Sequence, residues 1–149
     1  MTKVNENMIG YCGYNCYLCA ARSDDIKLRQ KLVDAWRKYL GHEMYTAENV
    51  ACEGCKSKGD KIADKNCEAR PCAQEKGFES CAQCNDFPCN KVKHLLGSSI
   101  SMLTYGAQGL KNITEEEFDL AIRQWNSIPN LVRILVDEGR LPSFVLDKI

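Results

Sequence analysis

Cys52-Glu53-Gly54-Cys55 is the stretch on which the fold turns. A Cys-x2-Cys pair puts two thiolates on one tight turn, close enough to reach a single ion. Gly54 frees the backbone between them, so that amide N–H groups can point at the sulfurs and stabilise thiolate charge. Outward from this pair the same spacing recurs: Cys12-x3-Cys16-x2-Cys19 upstream, then Cys67-x4-Cys72 and Cys81-x2-Cys84-x4-Cys89 downstream. All ten cysteines of the 149-residue chain fall in this stretch. The pattern predicts a metal-binding protein in which Cys12, Cys16, Cys19, Cys52, Cys55, Cys67, Cys72, Cys81, Cys84 and Cys89 are the ligands.

Burial alone supports such a region weakly. The apolar fraction of 44% counts the cysteines; without them it falls to roughly 38%, below the usual globular share. Metal crosslinks would supply what this half of the chain lacks in large aliphatic side chains. Residues 1–7 are polar, with no apolar h-region, and no apolar run approaches a membrane span. The expected compartment is therefore the cytoplasm, where clustered cysteines bind metal or do redox work in preference to forming disulfides.

Two regions are expected: a cysteine-rich region over 1–97 and a helical region over 98–149 packed on it. Within the first, residues 23–42 read as an amphipathic helix, with Ser23 as cap, Asp24 and Asp25 in the first turn, and Leu28, Leu32, Ala35, Trp36, Tyr39 and Leu40 at helical spacing. Gly41 supplies the stop. Residues 44–88 read as loop ordered by metal, and a brief helix after Pro88 carries Val92, Leu95 and Leu96 on one side. In the second region Thr114 and Glu117 form a capping box, with Ile113 and Phe118 as a hydrophobic staple. That helix runs through Ala121, Ile122 and Trp125 and stops before Pro129; another spans about 130–138 and stops at Gly139. Phe118 and Trp125 read as core. The fold class is mainly α, with a small α+β alternative, and zinc-ribbon-like or knuckle loops packed on the helices.

Neighbourhood in sequence groups Cys52, Cys55, Cys67 and Cys72 as one four-thiolate set, although zinc ribbons often interleave their pairs. The remaining six are then shared between the N-terminal triplet and residues 81–89, which can borrow a thiolate from Cys12, Cys16 or Cys19. Two zinc ions are the expected complement, with an iron–sulfur cluster as the alternative. Cys81-x2-Cys84-x4-Cys89-x4-His94 has knuckle-like spacing, but on a helix Cys89 and His94 face different ways, so His94 reads as a surface residue. His42 has a weaker claim still. The triplet at 12–19 has the spacing of radical enzymes, yet Leu18 stands where those carry an aromatic, and the chain is shorter than the partial barrel of roughly 200 residues they need, with no βα repeat.

Tyr11-Cys12-Gly13, Cys16, Cys19, Cys52-x-Gly54-Cys55, Cys67-x4-Cys72-Ala73, Lys76-Gly77, Cys81-x2-Cys84 and Asp86-Phe87-Pro88-Cys89 resemble a family of small cysteine-rich prokaryotic proteins of unknown function, presumed to bind zinc. The resemblance covers roughly residues 9–96. It implies a bacterial or archaeal protein with metal-binding cysteines, and it transfers no activity.

Twenty Lys and Arg balance twenty Asp and Glu. Each zinc ion bound by four thiolates leaves a formal charge of −2, so the metal region is expected to be anionic and to disfavour nucleic acid. No His-Glu-x-x-His helix, Gly-x-Ser-x-Gly elbow or P-loop is present. Glu115, Glu116 and Glu117 cluster, but at a helix start, where the dipole explains them. The expected function is therefore structural metal binding that serves protein interaction, without nucleic-acid or membrane partners. The alternative is a redox protein or enzyme using the N-terminal cluster.

Overall fold

A computed structural model of the chain describes residues 8–58, 61–97, 106 and 109–149. The α-helices with described bounds are α1 (Ile26–Leu40), α2 (Ala69–Lys76), α3 (Glu115–Ala121) and α4 (Ser127–Asp137). Short 3-10 turns link them, and no strand occurs among the described residues beyond one isolated bridge between Ile9 and Asn15.

The cap of helix α1 lies two residues beyond the Ser23 expected. Asp25 caps it instead, accepting from the Lys27 amide at 2.9 Å, while Ser23 accepts from the Asp25 amide and holds the approach. Gly41 ends it in the left-handed conformation at φ 68°, as expected. Leu32, Val33, Ala35, Trp36 and Tyr39 form its buried face, packed with Val50, Ala121 and Ile122 in the main core.

The Thr114–Glu117 capping box is present, and Phe118 packs against the same core. Helix α3 ends at Ala121 and gives way to a 3-10 turn over Arg123–Trp125, rather than running to Pro129. Helix α4 then starts at Ser127, so Pro129 lies in its first turn, where a missing N–H costs nothing. Buried Ser127 joins this helix to the end of the cysteine-rich region: its Oγ accepts from the Gly97 amide at 2.8 Å and donates to the Gly97 carbonyl at 3.1 Å.

Within 44–88, expected to be loop, α2 is a further helix. Its eight residues hold Pro71 in the first turn, bury only Ala69 and Ala73, and end at Gly77, φ 71°. The helix expected after Pro88 reduces to turns and a 3-10 segment at Lys93–Leu95. Val92 is nonetheless buried, and Leu95 and Leu96 pack on a second, smaller core with Cys12, Cys67, Ala69, Cys81 and Cys89. The sulfurs thus form part of the packed interior. Part of the region expected to be helical, 98–105 and 107–108, lies outside the described residues.

Candidate metal centre

Each Cys-x2-Cys pair rides on its own turn. Cys16 and Cys19 span a 3-10 turn capped by Asn15, whose side chain accepts from the Tyr17 amide. Cys81 and Cys84 span another, closed by a capping box between Ser80 and Gln83. At Cys52–Cys55 the turn is made by Gly54 with φ at +93°, and the Gly54 amide donates to Cys52 Sγ at 3.4 Å. The N–H-to-sulfur geometry expected from Gly54 is therefore present.

The turns meet in a pattern that sequence neighbourhood does not give. Cys52 and Cys55 join the N-terminal turn rather than forming the expected set with Cys67 and Cys72. The Cys52 amide donates to the Ala21 carbonyl at 2.9 Å, and Cys52 acts electrostatically on Cys19. Cys55 donates a hydrogen bond to Cys16, and a Cβ at Gly10 would stand 3.1 Å from Cys55 Sγ and 3.7 Å from Cys16 Sγ. A glycine lets the chain pass close beneath both sulfurs without crowding Cys55. Cys16, Cys19, Cys52 and Cys55 thus form a first group from two Cys-x2-Cys turns.

The second group gathers around Cys81, which feels the charges of Cys89, Cys72, Cys67 and Cys84. Cys12 feels the charge of Cys16 in the first group and of Cys67 and Cys81 in the second. Tyr11 links the two: its N–H donates to Cys55 Sγ at 3.4 Å, and its carbonyl accepts from the Cys81 amide at 2.9 Å.

All ten cysteines are free thiols. Burial pushes Cys12 and Cys19 up to about 12 and Cys81 up to about 11, since charge on a desolvated sulfur lacks compensation. Cys16 goes the other way, down to about 7, chiefly because Cys55 donates to it, with Arg22 and Lys56 assisting; Cys55 is raised by the same bond. As they stand, no three Cys, His, Asp or Glu side chains among the described residues converge tightly enough to hold an ion. The donor chemistry nonetheless fits a soft cation: buried, mutually repelling thiols are what such an ion compensates.

Several supporting side chains carry no sequence signal of their own. Asn130 on α4 donates to the Gly13 carbonyl at 2.8 Å, and Arg140 donates to the Ala82 carbonyl at 2.9 Å, so the C-terminal region braces both the first and the third cysteine turns. Arg70 on α2 donates to the Cys55 carbonyl at 2.9 Å. Lys76 places Nζ 3.8 Å from Cys84 Sγ and 4.0 Å from Asp86. Neither histidine joins the sulfurs: His94 is exposed, and the His42 ring stands edge-on to Trp36, Tyr45 and Trp125. Glu115, Glu116 and Glu117 occupy the first turn of α3, as the dipole argument requires.

A family model described as a protein of unknown function, DUF3795, matches residues 8–94, which takes in all ten cysteines. No curated protein and no solved structure matches the chain. No helix among the described residues is long and apolar enough to cross a membrane.

Proposed function

The chain belongs to the DUF3795 family of proteins of unknown function, and from that premise we propose that it is a metal-binding protein whose cysteines hold structural metal, with zinc in the group formed by Cys16, Cys19, Cys52 and Cys55. One observation carries the reading: thiols from segments far apart in sequence gather into two adjoining groups, the first made of two Cys-x2-Cys turns. Two such turns are a usual source of four thiolates for a closed tetrahedral zinc site. The second group is a further thiolate centre. Metal here replaces core, and the surface it supports serves contact with another protein; the Tyr17 ring, between two ligands of the first group, is 68% exposed.

Elemental analysis of protein purified without oxygen tests this. Stoichiometric zinc that is lost in Cys52→Ser is the expected result, and protein free of metal would refute it.

A second reading, thiol redox chemistry, is favoured by the Cys16–Cys55 contact, in which one sulfur is held as a ready thiolate by the other. Rapid alkylation of Cys16 while metal stays bound would select it.

A further inference from the structure

Four sulfurs of the second thiol group share one cavity. Cys72, Cys81, Cys84 and Cys89 line a half-enclosed cavity of about 350 Å³, with Ala73 and Phe87 among its apolar walls. Zinc bound by four thiolates needs sulfurs about 2.3 Å from one point, hence about 3.8 Å from one another. A cavity of this size instead matches the low end of small-ligand sites, about 300–1,000 Å³.

We propose that this cavity is the site of an iron–sulfur cluster of the four-iron type, held by Cys72, Cys81, Cys84 and Cys89. The inference rests on the reading that the cysteines hold metal, and it names the occupant of the second group. Four-thiolate ligation is the ordinary way such clusters are held, and the cluster brings its own bulk of iron and sulfide to the space. Ligands come from the middle of α2 and from the turns over 81–89, so the cluster would tie together two segments with little apolar surface of their own. Lys76 stands at the cavity wall with its ammonium 3.8 Å from Cys84 Sγ, which offsets the net negative charge of a four-thiolate cluster. Cys12 and Cys67 do not line this cavity and pack in the small core.

The test uses the full chain, reconstituted without oxygen with ferrous iron, inorganic sulfide and zinc. Iron and sulfide in equal amounts, about four of each per chain, are expected beside about one zinc, with broad visible absorption that bleaches on adding dithionite. Cys84→Ser should lose the iron and sulfide and keep the zinc. Lys76→Met should keep the cluster but be reduced at a more negative potential, a change that a purely structural lysine would not produce. Two zinc ions per chain with no retained sulfide would overturn the cluster and leave the metal-binding reading intact. Iron and sulfide without zinc would support the cluster and overturn only the assignment of zinc to the first group, and absence of all metal would overturn both. The metal count of the unaltered protein decides the matter even if Cys84→Ser does not fold.

Discussion

The indole N–H of Trp36 donates to the main-chain carbonyl of Ala121 at 2.9 Å, across 85 positions of sequence. This bond fixes α1 against the end of α3, where the chain switches to a 3-10 turn, and the Trp36 ring stacks on Trp125 at 5.6 Å. Trp36→Phe removes the donor and part of the ring. Gln124 also donates to that carbonyl, so the acceptor keeps a partner. The expected loss is about 1–2 kcal/mol in denaturant unfolding. A loss below a few tenths would show that the bond does not anchor the helix.

Ser127 is fully buried, and its Oγ serves both the N–H and the carbonyl of Gly97. Ser127→Ala leaves the Gly97 amide without that acceptor inside the protein, at a cost of about 1–3 kcal/mol. Ser127→Thr retains the hydroxyl but adds a methyl in a closed space, so it should recover only part of the loss. Chemical denaturation of both variants checks the ordering.

Gly13 follows Cys12 with φ at +93°, and a Cβ there would lie 2.7 Å from Leu131 Cγ and 2.8 Å from the Ser127 carbonyl. Gly13→Ala combines a strained backbone with overlap against α4, and should cost about 2–4 kcal/mol. Because the displaced helix also supplies Asn130, metal content should fall together with the unfolding midpoint. A variant with normal stability and metal would contradict the close approach.

The acid limb of stability should depend on Glu117. Its carboxylate accepts from the Tyr39 hydroxyl, from the Thr114 amide at 3.1 Å and from Lys38 at 3.5 Å, and the Tyr39 bond chiefly holds its pKa below the usual carboxylate range. A lowered folded pKa contributes stability that is present above the unfolded value, about 4.3, and is lost as pH falls through the folded one. Glu117→Gln should therefore be less stable than the parent at pH 7, and the gap should close as the solution is acidified. Unfolding midpoints across that range check the trend; a constant gap would place the effect in packing.

Removing metal with a chelator should expose residues 44–90 to protease while much of the helical signal from α1, α3 and α4 survives. The apolar core around Leu32, Val33, Trp36 and Ile122 takes in sulfur only through Cys19 and Cys52 at its margin, whereas the small core beneath the second group is built in large part from sulfur-bearing side chains. Unchanged protection of 44–90 after complete metal removal would mean that side-chain packing alone orders the segment. Limited proteolysis with mass spectrometry reads this directly.

Local signals were the legible part of this fold. Gly41, the Thr114–Glu117 box and the turn at Gly54 act over a few residues, so their meaning survives without knowledge of the rest. Helix α2 escaped for the converse reason: eight residues containing Pro71 and burying only alanines leave no apolar stripe to read. At the site, spacing tells which two sulfurs share a turn. Which turns meet is set by long-range bonds such as Cys52 N–H to Ala21 and Cys81 N–H to Tyr11, and these involve main-chain atoms that any sequence possesses. Asn130 and Arg140 were invisible for the same reason, since each grips a carbonyl rather than a side chain.

The single residue Tyr11, with Cys55 Sγ of one group at its N–H and the Cys81 amide of the other at its carbonyl, bears on how such a protein can change over time. Segments that coordinate metal independently can be copied, lost or spliced into new chains as cassettes. Here a splice anywhere between residues 16 and 81 would separate one group from the strip of backbone it shares with the other. The cysteine-rich region must therefore be inherited as one block, and variation is best tolerated outside it.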